Sequence, residues 1–291
     1  MCLTLQSDGK ILAGGGNRLV RLNPDGSLDS SFSAPLSAGE PAPYVRSLAI
    51  QPDGKILVGG TFTYMSSIGG GRFLARLNPD GSVDPSFLHG MSGVDNSVYS
   101  LALQSDGKIL VRGFFAFVDG VLRNGFARLN ADGSLDASFA YPPDGYAPEN
   151  FALQNDGKIL IGVNQGSGYG IVRLNTDGTP DPSFLNGSVS VNNPCGMSIA
   201  IQGDGKILMA GCFTTLNGMP CGRLARLNPD GSLDRSFTEG RSGADSDILA
   251  LALQGDSAVI LGGMFSSVKQ VSRRYVAPRL QQTHGKPKPK V

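Results

Sequence analysis

The sequence predicts an all-β fold assembled from tandem modules, and three observations carry that prediction. A first motif, Gln-x-Asp-Gly-Lys-Ile-Leu, starts at Gln6, Gln51, Gln104, Gln154 and Gln202 and returns degraded at Gln254. A second, Arg-Leu-Asn-x-Asp-Gly, follows it at Arg21, Arg76, Arg128, Arg173 and Arg226 and ends in a Ser-Phe pair. Successive Asp-Gly positions (Asp8, Asp53, Asp106, Asp156, Asp204, then Asp256) lie 45, 53, 50, 48 and 52 residues apart. A period of that length marks a repeat architecture, in which each unit buries its apolar face only against its neighbours.

Residues 45–87 show how one module is built. Val45 to Gln51 is a short apolar run ended by a turn, which reads as a strand buried on both faces. Pro52-Asp53-Gly54 supplies a hairpin, with Gly54 in the left-handed conformation that a Cβ opposes. Lys55 to Gly60 returns antiparallel, and Phe73 to Asn78 forms a third strand after a variable loop. Pro79-Asp80-Gly81 is a second turn of the same chemistry. Ser82 to Phe87 contains Pro85, and proline cannot donate to a ladder, so this segment is expected as a fourth, edge strand. Alternation of small and large residues on the first strand (Leu48-Ala49-Ile50, Leu101-Ala102-Leu103) suits close packing of neighbouring sheets.

Four antiparallel strands per module, joined by linkers to the next first strand, make a β-propeller of six blades. The modules span about residues 1–32, 45–87, 98–139, 148–184, 196–237 and 248–280, so the propeller occupies 1–280. The last blade is incomplete, because Tyr275 to Leu280 resembles a third strand with no Asn-Pro-Asp-Gly-Ser turn after it. An open fragment of a longer array is the main rival. The loop after the Gly-Gly pair is long where it carries Phe62, Phe115, Phe213 or Phe265, and short where Asn17 or Asn164 stands instead.

Charged residues make up 17% of the chain and are nearly balanced, 25 basic against 24 acidic, so no nucleic-acid partner is expected. No apolar run reaches the length of a membrane span. Met1 to Leu5 already reads as the first strand of a module, so no cleavable signal peptide is expected. The basic stretch from Lys269 onward ends in a Pro-Lys alternation, and 281–291 reads as a disordered tail. The four cysteines, Cys2, Cys195, Cys212 and Cys221, fit no strong zinc or disulfide spacing. A Cys212–Cys221 bridge would close a small loop, but buried thiols are the preferred reading.

The two motifs together resemble the bacterial Delta-60 repeat family over about residues 3 to 265. Asn78-Pro79-Asp80-Gly81-Ser82 and Asn228-Pro229-Asp230-Gly231-Ser232 are the cleanest copies. The resemblance implies a propeller found in large exported or surface-associated bacterial proteins, hence an extracellular or cell-surface setting. It implies no catalytic residue.

Alternating oxygen-bearing residues (Asn23, Asp25, Ser27, Asp29 and again Asn78, Asp80, Ser82, Asp84) invite a calcium site. Glycine stands at the fourth position instead of the sixth and no glutamate closes the loop, so turn chemistry is preferred and no cofactor is expected. The later aspartates, Asp29, Asp84, Asp136, Asp181 and Asp234, are expected to accept backbone N–H bonds. With only His89 and His284 as histidines, and no nucleophile beside His89, no enzyme is expected.

Function is expected in the interblade linkers, which vary on a constant framework. The candidate ligand-binding residues are His89, Asp95 and Asn96 in one linker, Tyr141, Asp144 and Tyr146 in a second, and Glu239, Arg241 and Asp245 in a third. The expected function is a non-catalytic binding or scaffold module, its ligand a protein or a glycan. The alternatives are a hydrolase or lyase with its site in a central channel, and a purely structural spacer of a larger surface protein.

Overall fold

The Asp-Gly pair of the first motif folds as a tight hairpin. In the second module Asp53 Oδ1 accepts the Lys55 N–H at 3.1 Å, and the Gly54 N–H bonds back to the Gln51 carbonyl at 2.9 Å. Val45–Ile50 and Ile56–Gly60 pair antiparallel on either side of this turn, and Leu74–Leu77 joins the far edge of Ile56–Gly60. The same meander recurs as Cys2–Leu5, Ile11–Gly15 and Arg18–Leu22, and again as Val98–Leu103, Ile109–Gly113 and Phe126–Leu129. Further along the chain it returns as Asn150–Leu153, Ile159–Asn164 and Tyr169–Leu174, then as Ser198–Ile201, Ile207–Ala210 and Leu224–Leu227. Its last appearance is Ile248–Gln254, Ala258–Gly263 and Val276–Ala277.

The computed structural model describes residues 2–16, 18–35, 43–62, 73–141, 148–164, 169–184, 189–192, 197–238, 243–254, 258–268, 271–272 and 276–277. The expected basic tail, 281–291, lies outside these. The fold is an all-β propeller, and among the described residues helix is confined to Arg235–Thr238.

Two expectations about the strands need correction. The strand buried throughout is the second one: every residue of Ile56–Gly60 is buried, while Val45–Ile50 alternates between buried and accessible. The second strand is the central one of its sheet, so it is flanked by hydrogen-bonded partners and covered on both faces. The fourth strand is reduced to a single bridge, Leu77↔Val83, with equivalents at Leu22↔Leu28, Leu129↔Leu135 and Leu227↔Leu233. Just beyond the bridge the Asp84 carboxylate accepts the Ser86 N–H at 3.0 Å, and the Phe87 N–H turns back to the Asp84 carbonyl. Pro85 has no N–H to offer a ladder, so the chain turns instead of extending.

The difference in loop length has a structural counterpart. Phe62, Phe115, Phe213 and Phe265 are all fully buried. Beyond Phe115 and Phe213 the chain forms small hairpins, Phe117–Val118 with Val121–Leu122 and Thr215–Leu216 with Met219–Pro220. Their central pairs, Asp119-Gly120 and Asn217-Gly218, have positive φ at both positions, the signature of a type I′ turn. Where the Phe is missing, the second strand pairs straight into the third, from Gly15↔Arg18 and Asn164↔Tyr169.

The chain divides into two compact units, Met1–Pro148 with Asp177–Thr179, and Glu149–Thr176 with Pro180–Val291. In each unit the core lies between successive sheets. In the first, Leu57 and Leu74 of one module pack with Val98, Leu101, Val111 and Leu129 of the next. In the second, Leu160, Ile171 and Phe184 pack with Ile207, Met209 and Leu227.

In the five modules that carry it, the second motif builds a polar clamp at the outer edge of the sheet. Asp84 Oδ2 accepts the Arg76 Nε–H at 2.7 Å and a Lys55 Nζ proton at 2.9 Å, while Oδ1 takes the Ser86 backbone and hydroxyl. Asp84 and Arg76 are both buried. The guanidinium also lies 4.8 Å over the Phe87 ring, and its Nη1 donates to the Ala131 carbonyl of the next module at 2.6 Å. Arg21 repeats the arrangement with Asp29, Phe32 and the Pro79 carbonyl. Arg173 does so with Asp181, Phe184 and the Pro229 carbonyl. The Asp84–Arg76 pair thus ties the first hairpin, the second turn and the following module together. The oxygens weighed as calcium ligands are committed to these bonds: Asp25 and Asp80 each accept the backbone and hydroxyl protons of the serine two residues on.

The same contact explains the turn glycines. Gly81 sits at φ 94°, and a Cβ built there falls 2.8 Å from the Ser33 backbone of the preceding module. Gly26 has φ 84° but nothing within 4 Å. Gly26→Ala therefore costs about 1–2 kcal/mol, for the positive φ alone. Gly81→Ala costs about 2 kcal/mol more, because neither the turn nor the Ser33 backbone can retreat. Urea denaturation of the two variants measures the difference, and equal losses would show that the turn does not bear on its neighbour.

Acid offers a second test of the clamp. Burial pushes the Asp84 and Asp136 carboxyls up, but their serine, lysine and arginine hydrogen bonds outweigh it and hold both below the ordinary 3.8. Asp234 is held at about 2 by the same balance. These groups bind protons more weakly in the folded state than in the unfolded chain. Their stabilisation is therefore complete above the unfolded value and lost as pH falls through the folded one. The melting temperature should drop between pH 3.8 and about 2, and Asp84→Asn should show a smaller drop in that window. A flat profile there would remove the clamp from the stability of the fold.

Candidate functional site

The linkers singled out from the sequence turn out to be held by the fold. Asp95 is exposed, but its Oδ1 accepts the Ala116 and Phe117 N–H groups at 2.9 and 3.0 Å, and the neighbouring Val94 bridges to Val118. Asp245 does the same to Ser266 and Ser267, at 2.9 and 3.0 Å, with Ala244 bridged to Val268. The Ser266 hydroxyl, followed by the Ser267 N–H, holds the Asp245 carboxyl well below the usual carboxylate range. Asn192, which the sequence reading missed, completes the pattern by accepting the Thr214 and Thr215 N–H groups. These residues staple each linker to the hairpin or loop that follows the buried Phe.

The remaining linker candidates fare differently. Asn96 caps its own chain, accepting the Ser97 N–H at 2.7 Å. His89 is exposed and, among the described residues, makes no hydrogen bond or ion pair, so Asp95 is not its partner. Tyr141 is buried with its ring edge-on to Phe126 at 5.2 Å, and burial pushes its hydroxyl up to about 12. Tyr141, a ligand-binding candidate from the sequence, is thus a core contact. Asp144, Tyr146, Glu239 and Arg241 lie outside the described residues.

The cysteine expectation is also revised. Cys212 is disulfide-bonded, while Cys2 and Cys221 are free, so no Cys212–Cys221 bridge forms. Burial pushes the Cys221 thiol up to about 11 and keeps it protonated.

A different cluster stands out at the start of the first strands in the first unit. The pairing of Val45–Ile50 with Ile56–Gly60 slips between Val45 and Ser47, and that of Val98–Leu103 with Ile109–Gly113 slips between Val98 and Ser100. Each slip is a bulge, and the extra residues are Arg46 and Tyr99. A bulge leaves a residue unpaired and re-aims its side chain. Beside each bulge the carbonyls of Tyr44 and Ser97 lie close against Gly60 and Gly113, where a Cβ would overlap them. Those carbonyls accept the Thr61 and Phe114 N–H groups at 2.9 and 2.8 Å.

The re-aimed side chains meet. The Arg46 guanidinium lies 5.4 Å from the Tyr44 ring and 5.4 Å from the Tyr99 ring, and the Arg112 guanidinium lies 5.5 Å from the Tyr99 ring. Those distances are within cation–π range. Arg112 is fixed by its Nε–H bond to the Pro148 carbonyl at 2.6 Å. Arg46 is exposed and, among the described residues, has no carboxylate or carbonyl partner for its five donors. Phe114, one residue past the Gly113 that pairs with Val98, is 74% exposed at the same end of the sheet. The corresponding positions in the later modules carry Glu149, Met197 and Leu249, so this pairing of charge and aromatic faces belongs to the second and third modules. That departure from the repeat was the available sequence signal.

Comparison with solved structures finds the same kind of fold at low identity. The chain is similar to PorZ, a bacterial surface component of the type-IX secretion system of Porphyromonas gingivalis (TM-score 0.57, 16% identity, 89% of this chain and 37% of that one). It is also similar to a catalytically inactive virginiamycin B lyase from Staphylococcus aureus with quinupristin (TM-score 0.54, 17% identity, 90% and 76%). A third is a gluconolactonase from Xanthomonas campestris (TM-score 0.50, 15% identity, 88% and 80%). At these identities the likeness is one of fold. No curated protein sequence matches the chain. One family model does, at residues 6–32, 51–87, 104–139, 154–184 and 202–237, which are the two motifs and what joins them. The chain therefore belongs to the family described as the domain of unknown function (DUF5122) β-propeller.

Proposed function

We propose that this Delta-60-like propeller is a non-catalytic binding module, and that it takes an acidic glycan at the Tyr44–Arg46–Tyr99–Arg112 cluster. The observation that carries the reading is Arg46: an exposed guanidinium on a bulge, within cation–π range of two tyrosine rings and with no hydrogen-bond partner among the described residues. Such a group fits a carboxylate bidentately, and the ring stacking limits the rotamer entropy lost on binding. Phe114 and the outer face of Tyr44 offer apolar surface for the C–H face of a sugar.

An exported or surface setting accords with this reading. Disulfides such as that of Cys212 persist in oxidising compartments, and PorZ is a surface component. The rival hydrolase or lyase reading takes its support from the lyase and lactonase neighbours, which share the fold at 17% identity or less.

Titration calorimetry with a polyuronate and a neutral polysaccharide of matched length tests the proposal. Binding should favour the polyuronate and weaken with salt, as screening requires. Arg46→Gln should weaken it at least about tenfold, or ~1.4 kcal/mol. Asp95→Ala should lower the melting temperature by releasing the staple, yet leave binding unchanged. Equal affinity for both polymers, or none, would overturn the reading, and turnover of the bound polymer would transfer support to the enzyme.

A further inference from the structure

The small hairpin of the third module ends a sheet of its own. Val94 of the linker bridges Val118, and Phe117–Val118 pairs with Val121–Leu122, beyond which no strand lies among the described residues. Phe117 directs its backbone to the linker. Its N–H donates to Asp95 Oδ1 at 3.0 Å, and its carbonyl accepts the Asp95 N–H at 3.2 Å. Opposite residues of an antiparallel ladder either bond each other or both turn outward. Leu122, opposite Phe117, therefore presents its N–H and carbonyl at the open edge. Arg123 Nη1 donates to that carbonyl at 2.9 Å, and the N–H has no acceptor among the described residues.

The sister hairpins guard the same edge. Thr215↔Pro220 and Ser267↔Ser272 stand where the third module has Phe117↔Leu122. Pro220 has no N–H to offer a further strand, which is a common protection of an exposed edge. Pro220 is exposed although a further module follows it within the same unit, so the outer strand of such a hairpin meets solvent with its next neighbour in place. The sixth module pairs two serines there and offers no apolar side chain. The third module instead combines an unguarded N–H with apolar side chains: Phe117, Val121 and Leu122 are each 43% exposed. Phe117 and Leu122, directly opposite, share the face turned away from the buried Val118.

We infer that this edge pairs antiparallel with the same edge of a second copy of the chain, about a two-fold axis at Leu122. Leu122 facing its own copy exchanges both hydrogen bonds, because a carbonyl oxygen has a second lone pair beside the one that Arg123 uses. The two Phe117–Leu122 pairs then form one apolar row across the joined sheet. Charge favours the same occupant. Arg123 Nε is buried without a hydrogen-bond partner, and no carboxylate pairs with this guanidinium among the described residues. In the two-fold register Arg123 lies opposite Val121 and diagonal to Asp119 of the second copy, a spacing that a long side chain spans. Asp119 uses Oδ1 for the Gly93 N–H at 2.8 Å and for the Ser92 hydroxyl, so Oδ2 is left for that arginine. The contact is isologous and closes at two copies. It uses none of Tyr44, Arg46, Tyr99 or Arg112, so it stands apart from the glycan reading.

Sedimentation velocity of the full chain across a wide concentration series tests this. The mass should rise with concentration to that of two copies and stop there. Leu122→Pro, which copies Pro220, should weaken association at least about tenfold and leave the melting curve of the dilute chain unchanged. Phe117→Thr/Leu122→Ser, which copies Thr215 and Ser272, keeps every backbone donor and should weaken association as much. A wild-type chain that stays monomeric throughout would overturn the inference. So would association that continues past two copies, or that survives either variant.

Discussion

A single buried carboxylate per repeat holds the greater part of this architecture in register. Asp84 and its equivalents accept from an arginine on the third strand, a lysine at the start of the second and a serine two residues on. Burying that charge costs free energy that its hydrogen bonds must return, and a buried pair is weak evidence of net stabilisation. Its effect is to specify. The lysine comes from the first hairpin and the arginine from the third strand, so the carboxylate is satisfied only when both hairpins are correctly aligned. A one-residue slip of the third strand would turn Arg76 to the other face and leave Asp84 without its main partner.

The arginine extends this specification from one sheet to the next. Its Nε serves its own carboxylate, its planar face covers its own phenylalanine, and its Nη1 reaches the next module's turn carbonyl. Lysine could take the charge but not all three directions at once, because an ammonium lacks a planar face and a fixed fork. The phenylalanine in turn excludes any Cβ from the facing turn glycine. Hydrophobic packing between sheets supplies the main driving force. The arginine and glycine decide which turn meets which module, and in what orientation.

Much of this was legible in the sequence because repetition substitutes for comparison. The Asp-Gly turns and the phenylalanines that mark the long loops follow from local chemistry, and the structure places them as expected. The arginine's role did not follow, since its partners lie 8 residues away on one side and 55 on the other. The fourth strand was over-read for a related reason. Alternating residues suggest extension, but the aspartate takes the N–H groups that a ladder would need. The linker aspartates misled in the opposite sense, because an exposed Asp95 or Asp245 looks available while its carboxylate is already committed to backbone. Arg46 and Tyr99 were passed over because a bulge cannot be read from alternation: one unpaired residue changes which face a side chain takes.

The position of those bulges bears on how a repeat of such constancy acquires a site. Turns, clamps and core strands leave few positions free to vary without breaking a module, and the linkers are tied down by their staples. The start of the first strand is different. The bulged residue pairs with nothing, so its side chain answers to no ladder and no clamp, yet its backbone is fixed by the glycine and the carbonyl pressed against it. It combines freedom of identity with rigidity of placement, which a binding residue needs if it is to avoid an ordering cost. Two adjacent modules bring two such residues within cation–π range of each other, and neither module alone would suffice. The proposed glycan site therefore lies at a junction of neighbouring bulges, and its chemistry is that of the pair of side chains placed there.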